Sequence, residues 1–286
     1  MPDSVTIYEV GPRDGLQSQT RLIATADKIA LIDLLSDCGL THIEVASFVS
    51  PKLVPQMADG AEVMAGITRR PGAVYAALTP NMRGYEAARA AKANEVAIFA
   101  SASEGFSRAN INASIAESLE RFRPVAAAAL ADGIPLRGYV SCVTDCPYDG
   151  PTPPASVARV ADALLAMGCR EVSLGDTIGA AVPGTTSAML DAVLAVAPAA
   201  KFAGHFHDTR GRALNNIAVC LDRGLSVFDS SAGGLGGCPF APGASGNVAT
   251  EAVVEMLSGR GFATGLDMTK LIAAATLARS LREVQK

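Results

Sequence analysis

Strand-like and helix-like segments alternate eight times along this chain, and that alternation restricts its fold more than any other feature. Short runs rich in β-branched and apolar residues stand at Val5–Val10, His42–Phe48, Ala73–Leu78, Glu95–Ser101, Arg137–Val143, Glu171–Asp176, Phe202–Asp208 and Val227–Ser231. Helix-like stretches follow them, most clearly at Thr25–Asp37, Ile111–Ala131, Pro154–Met167, Pro183–Ala197 and Asn215–Arg223. Gly39, Gly133, Gly168 and Gly224 sit just past helical runs, where a left-handed C-cap is expected. Pro154 and Pro183 stand where a first helical turn, whose amides are unpaired anyway, tolerates proline. Eight β/α units in about 250 residues predict an α/β fold of the (β/α)8 TIM-barrel kind. The rival is a doubly wound sheet, which would want G-x-G-x-x-G after the first strand; Gly11-Pro12-Arg13-Asp14-Gly15 is not that turn. The residues after Gly259, ending in helical Met268–Val284, are surplus to the eight units and are expected to pack against the barrel as extra C-terminal helices. No interdomain linker interrupts the pattern, so residues 1–286 read as a single domain.

Composition excludes several functional classes. An apolar fraction of 49% with 18% charged residues describes a chain with ample core. The formal net charge of −4 and the scatter of Lys and Arg argue against nucleic acid as a partner. An anionic small ligand would need a local basic patch. The Ala-rich Val125–Ala131 is too short to span a bilayer, and no membrane partner is expected. The first residues carry no charged, apolar or arginine-rich targeting pattern. The six cysteines show no C-x-x-C pair and no secreted framework. Reduced thiols in the cytoplasm are the expectation.

Chemistry in such a barrel belongs at the C-terminal ends of the strands. His205 and His207 lie late on the seventh strand, and residues at i and i+2 of a strand share one face while Phe206 takes the other. A lone strand histidine is more often a hydrogen-bonded structural residue. Here two of the chain's three histidines stand together beside Asp208. With Asp14 and the amide oxygen of Asn247 they make a mixed N/O set. That set suits Mg²⁺ or Mn²⁺ with open positions for substrate better than closed structural zinc. Arg13 in a plain Pro-Arg-Asp-Gly turn would be a surface ion pair; beside a cation it can stabilise an enolate oxygen. The glycine-rich run 233–247 is a tight connection, a phosphate cradle lacking the Lys and Ser/Thr of a P-loop, or a lid bringing Cys238 to the site as proton donor or nucleophile. Glu44 and Asp176 are candidate acid/base groups, or supports that orient Arg13 or a histidine. Cys142 and Cys146 are adequately explained as a small buried residue and a loop thiol.

Several stretches resemble the 3-hydroxy-3-methylglutaryl-CoA lyase family of metal-dependent TIM-barrel lyases. They are Val10-Gly-Pro-Arg-Asp-Gly-Leu-Gln17, Ser47-Phe-Val-Ser-Pro-Lys52 with Val54-Pro-Gln56, Arg137-Gly-Tyr-Val-Ser-Cys142, Ser173-Leu-Gly-Asp-Thr177, His205–Thr209 and Gly234–Asn247. The resemblance implies cleavage of a 3-hydroxy-3-methylglutaryl-CoA-like thioester into acetyl-CoA and acetoacetate, with a place in leucine degradation and ketone-body formation. It implies that Asp14, His205, His207 and Asn247 bind the cation, that Arg13 stabilises the enolate and that Cys238 helps protonate it. Glu44 and Asp176 match the family's active-site carboxylates; Gln17, Ser47 and Ser173 match substrate contacts. An acyl-CoA partner and a homo-oligomer, dimer or tetramer, are implied too.

The chain departs from the family pattern at Ser18-Gln19-Thr20, where Asn-Glu-Lys is common, at Leu53, where Trp is usual, and at Arg210-Gly-Arg212, where Tyr-Gly-Gln is common. Arg210 and Arg212 are therefore candidate contacts for CoA phosphates or another carboxylate. Rival activities are a lyase for another 3-hydroxy-acyl-CoA such as citramalyl-CoA, a Claisen-type synthase, and a non-catalytic acyl-CoA binder. Synthases of this barrel usually carry a long C-terminal domain and lack the Gly-Gly-Cys-Pro loop; binding alone would not require Arg13, both histidines, Asn247 and Cys238 together.

Overall fold

In the computed structural model, which describes residues 4–237 and 246–282, eight parallel strands close into a barrel. They are β1 (Thr6–Glu9), β2 (His42–Ser47), β3 (Val74–Leu78), β4 (Glu95–Ser101), β5 (Leu136–Ser141), β6 (Glu171–Asp176), β7 (Phe202–Phe206) and β8 (Val227–Ser230). Each pairs with its sequence neighbour, and β1 pairs with β8 in the register Thr6↔Val227 to Glu9↔Ser230. Helices α1 (Thr25–Asp37), α2 (Gly60–Gly66), α3 (Met82–Ala90), α4 (Glu104–Ile111), α5 (Ile115–Ala131), α6 (Pro154–Ala166), α7 (Pro183–Leu194), α8 (Ala213–Asp222) and α9 (Thr250–Gly259) surround it. The last helix, α10 (Met268–Leu281), packs against α1 and α9. The TIM barrel with an added C-terminal helix is thus present.

Strand alternation explains the two-layered interior. Ile7, Ile43, Ile98, Leu174, Phe206 and Phe228 are buried in one continuous core with apolar faces of the helices. Tyr8, Val10 and Ala76 form a separate small cluster. The strand expectations agree with the observed strands to within two residues at each end. The helical stretch Ile111–Ala131, however, is two helices. Asn112 adopts a left-handed conformation with φ 48°, and Ser114 opens α5 with a capping box closed by Glu117. An asparagine tolerates that backbone, and the new cap satisfies amides a continuous helix would have paired internally.

The barrel axis carries a buried cation. Arg137 on β5 is 0% exposed; its guanidinium meets Glu171 at 2.8 Å and Asp229 at 2.7 Å, and lies 3.9 Å from the centre of the Tyr8 ring. Burial opposes its charge, but Asp229, Tyr139 and Glu171 outweigh that and hold its pKa well above the usual arginine range. Removing one partner of such a pair leaves the other charged and dry. Arg137→Met is therefore expected to lower stability by about 3–5 kcal/mol. Urea unfolding followed by far-ultraviolet circular dichroism measures this, since the chain has no Trp to report by fluorescence.

Candidate active site

The segment leaving β1 does not form an ordinary turn. Gly11–Gly15 is a single π-helical turn in which the amides of Arg13, Asp14 and Gly15 all donate to Val10 O, at 3.2, 2.7 and 3.2 Å. Such turns recur at functional sites because they re-aim consecutive side chains. Gly15 is required by proximity, as a Cβ there would lie 2.7 Å from Leu235 Cβ. The turn presents Arg13 and Asp14 side by side. Arg13 donates from Nε to Glu44 Oε2 at 2.5 Å and from Nη1 to Asp14 Oδ1 at 2.6 Å. Its burial works against the charge, yet Glu44 and Asp14 drive its pKa upward, so it is a permanent, immobile cation. Burial likewise opposes an ionised Asp14, but Arg13, His205 and His207 outweigh it and hold the carboxyl at about 2.

His205 is the penultimate residue of β7 and His207 lies just beyond the strand, with ring centres 5.4 Å apart; Phe206 between them is buried in the outer core. His207 forms an antiparallel bridge with Asn247, which brings that residue to the same rim. The Asn247 amide donates to Asp14 Oδ2 at 2.8 Å and to Leu235 O at 3.3 Å, so its oxygen is the atom left for a ligand. One ligand atom each from Asp14, His205 and His207 lies within 4.8 Å of the others, the one such metal-ligating cluster among the described residues. Among the described residues Nδ1 of His207 is buried without a hydrogen-bond partner, and burial with the neighbouring His205 holds that ring's pKa at about 4. A neutral imidazole with an unclaimed nitrogen beside an ionised carboxylate fits a divalent cation.

These groups face a cleft of about 1860 Å³. Arg13, Asp14, Gln17, Ser47, His205 and His207 line its polar end, and Leu78, Phe99, Phe122 and Tyr139 supply an apolar wall. Gln17 also donates to Asp14 Oδ1 at 3.2 Å.

Other residues expected at the site lie behind this surface. Glu44 is wholly buried under Arg13 and does not line the cleft. Ser173, expected to contact substrate, instead donates its hydroxyl to Asp229 Oδ2 at 2.7 Å and is 0% exposed. Asp176 accepts the amides of Ala180 and Ala181, both at 3.0 Å; its flanking Gly175 and Thr177 face the cleft instead. Burial raises the Asp176 carboxyl to about 6 even so. The one-residue alternation of β6 accounts for this division, since neighbours on a strand point to opposite sides. Arg210 and Arg212 are exposed and do not line the cleft, whereas Arg121, Arg279 and Arg282 do. Cys238 lies outside the described residues. Cys142 and Cys146 pack with Phe106 in a cluster of their own. Asp229 was not legible as a site residue: it is buried on β8, with Oδ2 3.1 Å from Nδ1 of His205. The signal available was a carboxylate in the strand Val-Phe-Asp-Ser, one position from apolar Phe228.

A family model described as HMGL-like matches residues 4–278. A Pseudomonas aeruginosa protein named 3-hydroxy-3-isohexenylglutaryl-CoA/hydroxy-methylglutaryl-CoA lyase is 57% identical over 274 residues, spanning 96% of this chain and 91% of that protein. The crystal structure of the HMG-CoA lyase from Brucella melitensis superposes with a TM-score of 0.97 at 63% identity, covering 98% of this chain and 99% of that one. An HMG-CoA lyase from A. baumannii, solved with coenzyme A and 3-methylmalate, aligns with a TM-score of 0.92 at 37% identity, covering 98% and 91%. With this barrel, this rim and these relatives, the chain belongs to the HMG-CoA lyase family.

Proposed function

We propose that this protein is a divalent-cation-dependent carbon–carbon lyase that cleaves 3-hydroxy-3-methylglutaryl-CoA to acetyl-CoA and acetoacetate. The observation that carries this is the placement of a fixed guanidinium, Arg13, against the Asp14, His205 and His207 cluster at the mouth of one cleft. Asp14, His205, His207 and the Asn247 oxygen would hold the cation, and their mixed N/O character favours Mg²⁺ or Mn²⁺. The chemistry a bound cation supplies is Lewis acidity, which makes an alcohol more acidic and polarises a forming carbonyl.

The remaining work falls to the chain's own groups. When a base takes the proton of the tertiary hydroxyl, the O–H electron pair forms the C3 ketone of acetoacetate, and the C2–C3 pair passes to the thioester and leaves an enolate. Arg13, charged and clamped by two carboxylates, stabilises that enolate without having to move. Cys238 is our choice to deliver the proton that turns the enolate into acetyl-CoA. Gln17 and Ser47 contact the acyl part from the cleft wall. Glu44 acts through Arg13, and Asp176 fixes the segment after β6. Arg121, Arg279 and Arg282, rather than Arg210 and Arg212, supply positive charge along the way a CoA nucleotide would take. The five described cysteines are free thiols, which supports a reducing compartment such as the cytoplasm. No described helix is long and apolar enough to cross a membrane.

A second substrate reading has an observation of its own. The P. aeruginosa relative's name includes a 3-isohexenyl substrate, and the cleft here has a wall of Leu78, Phe99 and Phe122. Longer 3-alkyl groups therefore belong in the assay beside citramalyl-CoA.

The purified protein with Mg²⁺ or Mn²⁺ is expected to release acetyl-CoA and acetoacetate in equal amounts and to fall silent with chelator. Activity surviving exhaustive chelation, or pyruvate as the main second product, would overturn this function. Arg13→Gln should lower kcat about 10²–10³-fold, the usual cost of one lost oxyanion donor, with KM changed far less. Cys238→Ser should depress kcat strongly and leave Mn²⁺ affinity, read by calorimetry, within a factor of about two; an unchanged kcat returns the thiol to a structural role.

A further inference from the structure

The two histidines of the cluster are held very differently. His207 has a buried Nδ1 with no hydrogen-bond partner among the described residues, whereas Nδ1 of His205 lies 3.1 Å from Oδ2 of Asp229. Asp229 is itself over-determined. It accepts Arg137 Nη2 at 2.7 Å, Arg137 Nη1 at 3.2 Å and the Ser173 hydroxyl at 2.7 Å, and it is 2% exposed. Four adjacent strands meet in this knot: Arg137 on β5, Ser173 on β6, His205 on β7 and Asp229 on β8.

The chemistry of the partners dictates the rest. A carboxylate forked by an arginine is ionised and can only accept hydrogen bonds. The ring nitrogen facing it must therefore carry the hydrogen, which leaves Nε2 of His205 with its lone pair free. We propose that Asp229 is the positioning residue of the metal centre: anchored by Arg137 and Ser173, it fixes the tautomer and ring plane of His205 so that Nε2 is presented to the cation. The proposal rests on the lyase function above, because there His205 is a ligand. Carboxylate–histidine–metal arrangements of this kind typically contribute 10–100-fold to metal affinity. The described residues offer Nδ1 of His207 no such anchor.

The tautomer is read directly in metal-free protein labelled with ¹⁵N-histidine, by long-range ¹H–¹⁵N correlation at mildly alkaline pH. Only three histidines are present, so each ring is resolved. Wild-type His205 is expected as the Nδ1–H form; finding the hydrogen on Nε2 overturns the proposal, and that measurement needs no variant. In Asp229→Asn, Arg137 claims the amide oxygen and the NH₂ group turns toward His205, so the ring is expected to switch to Nε2–H while His42 and His207 keep their signals. The Mn²⁺ dissociation constant should rise about 10–100-fold by calorimetry, and excess Mn²⁺ should restore part of the activity. Unchanged His205 signals with Mn²⁺ affinity within a factor of about two would sink the idea. If the tautomer is as expected but the enzyme does not act on 3-hydroxy-3-methylglutaryl-CoA, the substrate assignment fails and the positioning of His205 stands.

Discussion

Closure of the sheet is the constraint on which everything else rests. The β1–β8 pairing joins the first strand to the last, and a parallel barrel has no other way to bring residue 14 to residue 247. The hydrogen bond from Asn247 to Asp14, 2.8 Å long across 233 positions of sequence, exists because of it. So does the meeting of both with the histidines at the end of β7. An open doubly wound sheet would have left the first and last strands unpaired.

Inside the closed barrel, charge is stacked in two tiers. Arg137 sits low, paired with Glu171 and Asp229; Arg13 sits at the mouth, paired with Glu44 and Asp14. The Tyr139 ring lies between them, 4.9 Å from one guanidinium and 5.5 Å from the other, and its hydroxyl accepts from Arg137 at 2.9 Å. Buried ions of this density stand only when each has a partner, and breaking one pair is costly. The lower tier therefore acts as a rigid floor. The upper tier inherits that rigidity, which is what the proposed stabilisation of an enolate by Arg13 requires.

The parts of the fold legible in the sequence are those written in local pattern. Eight alternations, the Pro and Gly punctuation and the i, i+2 histidines all report on neighbouring residues, and each has its counterpart in the structure. Local pattern is ambiguous elsewhere. A helical period runs through Asn112 without revealing that its backbone turns left-handed and that Ser114 begins a new helix. Ser173 and Asp176 stand at the expected end of their strand, and only the structure shows that the serine bonds to Asp229 and the aspartate to two backbone amides. Arg210 and Arg212 sit beside the histidine motif in sequence and outside the cleft in space.

By itself the sequence determined the architecture and the candidate reactive groups, because hydrophobic period, capping and the spacing of like side chains act over a few residues. Tertiary structure alone decided which of those groups face the cleft and which stand behind them. That choice depends on strand register and on competition for buried hydrogen-bond partners, as when Asp229, from 24 positions away, takes up Nδ1 of His205. Register on the adjacent strands β7 and β8 selects that pair, and closure adds those that join the first strand to the last.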